Sequence, residues 1–146
     1  MMKVSSSLLK PNGLIAVFVI SAFAASCQTY TKGLEQSQAR ADETVAIMNL
    51  RAIASAQQAH AMSNEGKFAT FPQLVEAGLL DSRFEGPEPE MNGYAFKMDA
   101  SEKGFSCQAS PLPATSGRHY YVDSSSPLIR VNASRPATAD DPAFQP

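Results

Sequence analysis

The sequence lacks the features by which several functional classes are usually recognised. Its 146 residues include no tryptophan, two cysteines and two histidines, so neither a disulfide framework nor a histidine-rich zinc cluster is indicated. The formal charge is −2 and no basic stretch occurs, which excludes the electrostatic footprint of a nucleic-acid-binding protein. The longest apolar run, 14–25, has about a dozen residues and is shorter than the ~20 that a membrane-spanning helix needs.

That apolar run has the surroundings of a secretion signal. Lys3 and Lys10 precede it, and it closes on Ala24-Ala25-Ser26-Cys27, which resembles the lipobox of bacterial lipoproteins. In that family, signal peptidase II cuts before the cysteine, which then carries lipid. We therefore predict a lipoprotein-type signal peptide at 1–26 and lipid attachment at Cys27. Loss of the two lysines would take the charge of the mature chain to about −4.

Two other outcomes at this end of the chain stay open. Ala22-Phe23-Ala24 offers ordinary signal peptidase a site of its own, which would release a soluble secreted product. An uncleaved segment would instead serve as the anchor. Gln28 follows the cysteine in place of Asp, and in the lipoprotein family this favours the outer membrane. The expected location is thus the bacterial cell envelope, lipid-anchored and facing the periplasm.

A polar tether is predicted at 27–38, and helical periodicity follows it. From about Glu35 to Ser63 the chain is rich in Ala, Gln and Arg and contains no Pro. Five residues at helical spacing share one narrow face: Ala46, Leu50, Ile53, Gln57 and Ala61. Small residues on that face suit a helix lying closely against a sheet. Thr70, Pro72 and Gln73 then predict the start of a second, short helix.

After a loop at 81–92 marked by Gly and Pro, the apolar period changes from that of a helix to two. Four segments are predicted strands: 94–99, 105–110, 118–123 and 128–132. Short polar connections between them favour an antiparallel meander. The expected fold is therefore α+β, with a long N-terminal helix packed on a three- to four-stranded antiparallel sheet, in a domain at 39–132. The Pro-rich remainder, 133–146, is predicted to be a disordered tail.

Several short strings add a resemblance to this order of elements. They are Leu50-Arg51-Ala52-Ile53, Gly78-Leu79-Leu80-Asp81, Gly93-Tyr94-Ala95-Phe96, Tyr121-Val122-Asp123 and Ile129-Arg130. Their order and spacing resemble the globular head of type IV pilin-like or pseudopilin-like proteins, over roughly 39–131. The resemblance implies a head of long helix and antiparallel sheet, and partners among envelope assemblies for secretion or pili.

The amino-terminal part departs from that family. Pilins carry a leader that ends in Gly, followed by a long apolar helix with Glu at its fifth position, and this helix packs into the filament core. Here Gly13-Leu14 resembles the cleavage point, but the fifth position is Phe18 and the apolar run stops before Cys27. The expected protein is a pilin-like head on a lipid anchor, and not a polymerising subunit.

The other residues with reactive side chains are given structural roles. His60 and His119 are expected to pack or to face solvent. Cys107 alternates in phase with Phe105 and Ala109 and is expected to be a small buried apolar residue.

The polar turns are given similar roles. Asp99 and Glu102 bracket a turn and are expected to be solvated. Ser124 to Ser126 lie in a turn without the His and Asp pattern of a hydrolase. Asp123 and Arg130 are expected to pair across the last hairpin.

The function expected from the sequence is structural or interaction-based, in a lipid-anchored envelope protein. No catalytic residue, metal ligand or cofactor is predicted, and the expected partners are the membrane, through the lipid, and envelope proteins. One alternative is a periplasmic small-ligand-binding module with a pocket between the helix and the sheet, lined by aromatic residues. Another is a secreted pseudopilin-like component of a secretion or pilus system. An enzyme has the least support, because no nucleophile–base pair can be named.

Overall fold

In a computed structural model of the chain, the backbone is described from Asn12 onward and the side chains from Lys32 onward. The chain divides into two units, 1–37 and 38–146. Helix α1 spans Asn12–Ser63 and contributes to both units. In the first unit the described side chains, 32–37, are exposed. None of the helices within the described residues has the length and apolar character needed to cross a membrane.

The amino-terminal predictions fall mainly on residues without described side chains. The predicted signal peptide, 1–26, and the predicted lipid site, Cys27, lie outside that described part and stay predictions. The segment 27–38, where a tether is predicted, has helical backbone as part of α1.

In the second unit, α1 buries four of the five residues on the face that its periodicity predicts, and the fifth, Ala61, is half-buried. Ala46, Leu50, Ile53 and Gln57 are each at most 1 % exposed. The helix ends at Ser63. Three residues later Gly66 adopts a φ of 81°, and the Gly66 amide donates to the Ala61 carbonyl at 2.8 Å. A left-handed glycine after the last turn is a common way of satisfying helix carbonyls.

The short second helix and a following turn bring more apolar side chains to the core. Helix α2 spans Phe71–Glu76, and the Gln73 side chain accepts from the Thr70 amide at 2.9 Å, as in a capping box. A 3₁₀ turn at Ser82–Phe84 follows, in the segment predicted as a loop. Phe71, Leu74 and Phe84 are buried.

The sheet is an antiparallel meander of five strands in chain order, and not of three to four as predicted. The strands are β1 (Glu90–Met91), β2 (Tyr94–Ser101), β3 (Gly104–Pro111), β4 (His119–Asp123) and β5 (Ser126–Asn132). The additional strand is β1, which pairs with the start of β2. Asn92 and Gly93 connect them with φ values of 49° and 75°, the left-handed conformations that a tight two-residue hairpin requires.

The core lies between the buried face of α1 and one face of the sheet. The residues on the sheet side are Tyr94, Phe96, Phe105, Cys107, Ala109, Tyr120, Val122 and Ile129. Gln57 is the polar member of the helix face, and its amide group donates to the Ala69 carbonyl and accepts from the Ala69 amide. Both hydrogen-bonding functions of this buried side chain are thus satisfied. The α+β class is confirmed.

The segment 133–146, predicted to be disordered, is docked in the structure. We call it the C-terminal strap. Its Ala143 forms an antiparallel bridge with Arg130 of β5, and its Ala137 is fully buried. The prediction considered only how little the segment contains to bury, whereas the strap finds its partners on strands that precede it in the sequence.

Candidate functional site

The one site that the sequence names, Cys27, has no described surroundings, so the geometry available belongs to the second unit. Three features there have definite polar geometry. They are an ion pair that joins α1 to the sheet, a buried carboxylate in the C-terminal strap, and an open cleft at one end of the sheet.

The first feature is a clamp formed by Glu43 of α1 and Arg118, the residue before β4. The Glu43 carboxylate accepts from the Arg118 amide at 2.9 Å, from Nε at 3.1 Å and from Nη2 at 2.9 Å. The Tyr94 hydroxyl donates to the Arg118 carbonyl at 3.0 Å. A fork-to-fork pair of this kind fixes direction as well as distance. The clamp therefore sets how the helix sits on the start of β4.

The electrostatics of the clamp favour a fixed ion pair. Burial acts to raise the pKa of Glu43, but the hydrogen bonds and charge of Arg118 outweigh it, and the pKa lies below its ordinary value of 4.5. Burial, followed by the nearby charge of Glu43, raises the pKa of Tyr120 to about 12. Burial likewise raises the pKa of Tyr94. Both phenols stay protonated at neutral pH, so neither serves as a base.

Tyr120 has a further property that the sequence does not reveal. Its ring is fully buried, and its hydroxyl has no hydrogen-bond partner among the described residues. The ring stands 6.2 Å from Tyr94 and 5.8 Å from Phe144, centroid to centroid. Aromatic packing thus holds the side chain in place.

The second feature is Asp141, which is 5 % exposed. Its carboxylate accepts from Asn132 Nδ2 at 2.8 Å, from both terminal nitrogens of Arg135 at 2.9 and 3.0 Å, and from the Thr138 amide at 2.8 Å. These hydrogen bonds, that of Asn132 foremost, lower the pKa of Asp141 to about 2. Sequence reasoning missed this residue because its partners meet only when the strap has folded.

The third feature is an open cleft of about 460 Å³. Its lining residues are Asp99, Ala100, Ser101, Gly104, Phe105, Ser106, Asp123, Ser124 and Ser125. The Asp123 carboxylate is already engaged, since it accepts from the Ser125 amide at 2.8 Å and from the Ser125 hydroxyl at 2.6 Å. No histidine lines the cleft beside its serines. The Asp123 oxygen that meets the Ser125 hydroxyl also accepts from the Ser125 and Ser126 amides, so its contacts are those of a carboxylate that organises a turn.

The predicted pair of Asp123 and Arg130 does not form, and this prediction is wrong. A bulge between Tyr121 and Asp123 shifts the register of β4 against β5, and Arg130 stands opposite Tyr121. Arg130 Nη1 instead donates to the Asp141 carbonyl at 3.2 Å. Asp123, opposite Ser126, organises the turn between the two strands.

The two histidines are separate. His60 Nδ1 lies 2.9 Å from the Lys67 carbonyl, and because a carbonyl only accepts, this nitrogen carries the proton. His119 Nδ1 lies 3.0 Å from the Ser110 hydroxyl, and burial lowers the pKa of His119. Within the described residues, no three side chains of His, Cys, Asp or Glu gather as a metal site would require.

Cys107 is buried, as its alternation with Phe105 and Ala109 predicts. Burial raises the pKa of its thiol, which keeps the sulfur in the unreactive protonated form.

The turn residue Glu102 lies 3.5 Å from Lys67 Nζ, in a pair that is open to solvent on both sides.

Comparison of the chain with protein-family models, with curated proteins and with solved structures finds no match. No family membership is therefore shown, and the resemblance to pilin-like heads stays a hypothesis. The functional argument depends on the residues of this chain and on the chemistry they allow.

Proposed function

We propose that this chain is a lipid-anchored protein of the bacterial cell envelope, with a structural or interaction role performed by the domain at 39–132. The proposal includes the more specific resemblance of that domain to a type IV pilin-like head. The helix on an antiparallel meander is consistent with it. The carboxylates of Glu43, Asp123 and Asp141 support a non-catalytic role, because each is engaged in fixed contacts with neighbouring donors.

The observation that carries the proposal is Cys27, at the end of an apolar run and directly after Ala24-Ala25-Ser26. A thioether-linked diacylglycerol on this residue would attach the chain to a bilayer. Each buried methylene contributes ~0.8 kcal/mol, and a single acyl chain gives only marginal binding. The two or more chains of a bacterial lipoprotein are therefore sufficient for stable attachment without a membrane-spanning helix.

The proposal is tested by a matched pair of cysteine substitutions in cells that export the protein. Cys27→Ala should move the protein from the membrane fraction to the soluble fraction, and should abolish incorporation of a fatty-acid label. Cys107→Ala is the control, because it removes the other cysteine of the chain and leaves the proposed anchor intact. Equal labelling and equal membrane retention of both variants would refute the lipid anchor.

The second candidate is a pseudopilin-like component of a secretion or pilus system. The observation that favours it is the helical backbone of α1, which continues without a break from Asn12 to Ser63. In this case cleavage would follow Gly13 and the mature chain would begin at Leu14. The two candidates therefore differ in the first residue of the mature protein.

A further inference from the structure

The C-terminal strap occupies the free edge of the sheet. β5 is an outer strand of the five-stranded order, so one row of its backbone groups has no neighbouring strand. The strap supplies partners for two of them. The Val131 amide donates to the Pro142 carbonyl at 3.0 Å, and the Phe144 amide donates to the Ile129 carbonyl at 2.7 Å. An exposed edge of this kind is a template for an incoming strand.

An aromatic side chain anchors the strap at its far end. The Phe144 ring stands edge-on to Tyr120 at 5.8 Å, and the Arg118 guanidinium lies 5.4 Å from the centre of the Phe144 ring. Arg118 is the residue that Glu43 holds in place. The seat for Phe144 is thus built by residues outside the strap.

The strap is also organised within itself. Asp141 binds Arg135 and Thr138, which belong to the strap, and it is held by Asn132 and Arg130 of β5. A further attachment to the sheet is Gln108 of β3, which donates to the Ala137 carbonyl at 3.1 Å. Ala133 and Ser134, which join the strap to β5, are exposed. The geometry is that of a preformed unit on a short exposed connection, and such units are exchanged between identical chains when the connection opens.

We propose that the seat on the edge of β5 accepts the C-terminal strap of a second copy of this chain in place of its own. The occupant is specified by the seat: an extended segment whose carbonyl meets Val131, whose Asp meets Asn132, and whose aromatic ring fits against Tyr120 and Arg118. The chain's own strap meets all three requirements, and every copy carries one. This interaction does not depend on Cys27 or on the lipid.

The test uses the full chain in detergent and a fluorescent peptide of residues 133–146. In the wild-type chain the seat is filled by the tethered strap, with which the peptide must compete. The apparent affinity of the peptide is therefore its intrinsic affinity multiplied by the fraction of chains whose seat is open. Phe144→Ala weakens the chain's own strap and should tighten peptide binding about tenfold by that relation. Gln145→Ala is the control, since Gln145 is exposed and should leave binding unchanged.

A second step tests whether the occupant is another copy. Tagged wild-type chain should be retained on immobilised Phe144→Ala chain, and an excess of the peptide should release it. A peptide that itself carries Phe144→Ala should neither bind the opened chain nor release the retained chain. If Phe144→Ala does not fold, Asp141→Asn replaces it, because this change weakens the other end of the strap and leaves every residue of the seat unchanged. A folded, opened chain that binds no peptide, or that binds peptide and no second copy, would overturn the proposal.

Discussion

The clamp and the strap each contain a carboxylate with little solvent exposure held by a half-exposed arginine, yet the two pairs connect the molecule differently. The Glu43 side chain is 14 % exposed beside Arg118 at 44 %, and the Asp141 side chain is 7 % exposed beside Arg135 at 54 %. Glu43 and Arg118 are 75 residues apart, whereas Arg135 and Asp141 are six apart. The distant pair joins a helix to a sheet, and the near pair lies within the C-terminal strap.

The difference shows that the geometry of an ion pair does not determine what it stabilises. A contact between distant residues acts on the global folding equilibrium, because both elements must be in place before it forms. A contact between near residues can persist in a locally detached segment. We therefore expect changes at the clamp to alter global stability, and changes at Asp141 to alter the docking of the strap.

The largest effect is expected from Gly117→Ala. A Cβ at Gly117 would collide with the hydroxyl of Tyr94, a side chain that is fully buried and donates to the Arg118 carbonyl. Overpacking at such a site typically costs ~1–3 kcal/mol, and we expect the upper end of this range in chemical unfolding. Gly33→Ala is the control, because open space surrounds Gly33. If Gly117→Ala and Gly33→Ala were equally stable, the Tyr94 hydroxyl would have moved aside for the added methyl group without cost.

Glu43→Gln should have the next largest effect. It keeps the shape of the side chain but removes the charge that three Arg118 donors share. Since Arg118 is half exposed and can turn to water, we expect a loss of about 1–2 kcal/mol in the free energy of unfolding. Glu35→Gln makes the same chemical change at an exposed position of α1 and should leave stability unaltered.

Lowering the pH should distinguish the stabilising contributions of Glu43 and Asp141, because they are lost over different pH ranges. Each has a pKa below its ordinary value in the folded state, so each stabilises the folded form above the unfolded pKa and ceases to do so as the pH falls through the folded pKa. The Glu43 contribution should decline below its ordinary pKa of 4.5, and Glu43→Gln should remove it. The measurement is the pH dependence of unfolding, and an unchanged dependence in Glu43→Gln would contradict this origin.

Asp141 should keep the strap docked to a lower pH, because its folded pKa is about 2 and its ordinary value is 3.8. Protection of the strap amides, taken relative to their intrinsic exchange rate, should therefore decline progressively below pH 3.8 and be lost near pH 2. Asp141→Asn should lower this protection at higher pH, should differ little from wild type near pH 2, and should change global unfolding little. Its neighbour supplies the control, since Asp140 is exposed and Asp140→Asn should behave as wild type.

The smallest effect is expected at Lys97, which pairs with Glu88 across 3.9 Å with both side chains exposed. Exposed pairs of this kind contribute ~0–1 kcal/mol, and many contribute nothing measurable. Lys97→Ala should therefore unfold at the same denaturant concentration as wild type. A loss comparable to that of Glu43→Gln would show that burial is not what distinguishes the clamp.

Periodicity predicted the parts of the fold that depend on neighbours in sequence. The buried face at Leu50 and Ile53 follows from a helical period, and the burial of Cys107 follows from strand alternation. The two-residue strand β1 is too short for such a period, although Asn92-Gly93 is itself a hairpin signal.

The parts that escaped prediction depend on distant partners. In the sequence, Glu43 is one of several helix carboxylates and Asp141 is an acidic residue in a polar tail. Their roles become visible only in the folded chain, where Glu43 contacts Arg118 and Asp141 contacts Asn132. The bulge that separates Asp123 from Arg130 likewise has no mark in the local sequence. Order in the C-terminal strap arises from the edge of β5 and from the aromatic seat, neither of which its own composition contains.

The most direct test of the proposed anchor is the mass of the amino-terminal peptide from the exported, membrane-extracted protein. The account predicts a peptide that begins at Cys27 and carries a diacylglycerol thioether. A peptide that begins at Leu14, or one that contains Cys27 as an unmodified thiol, would contradict it.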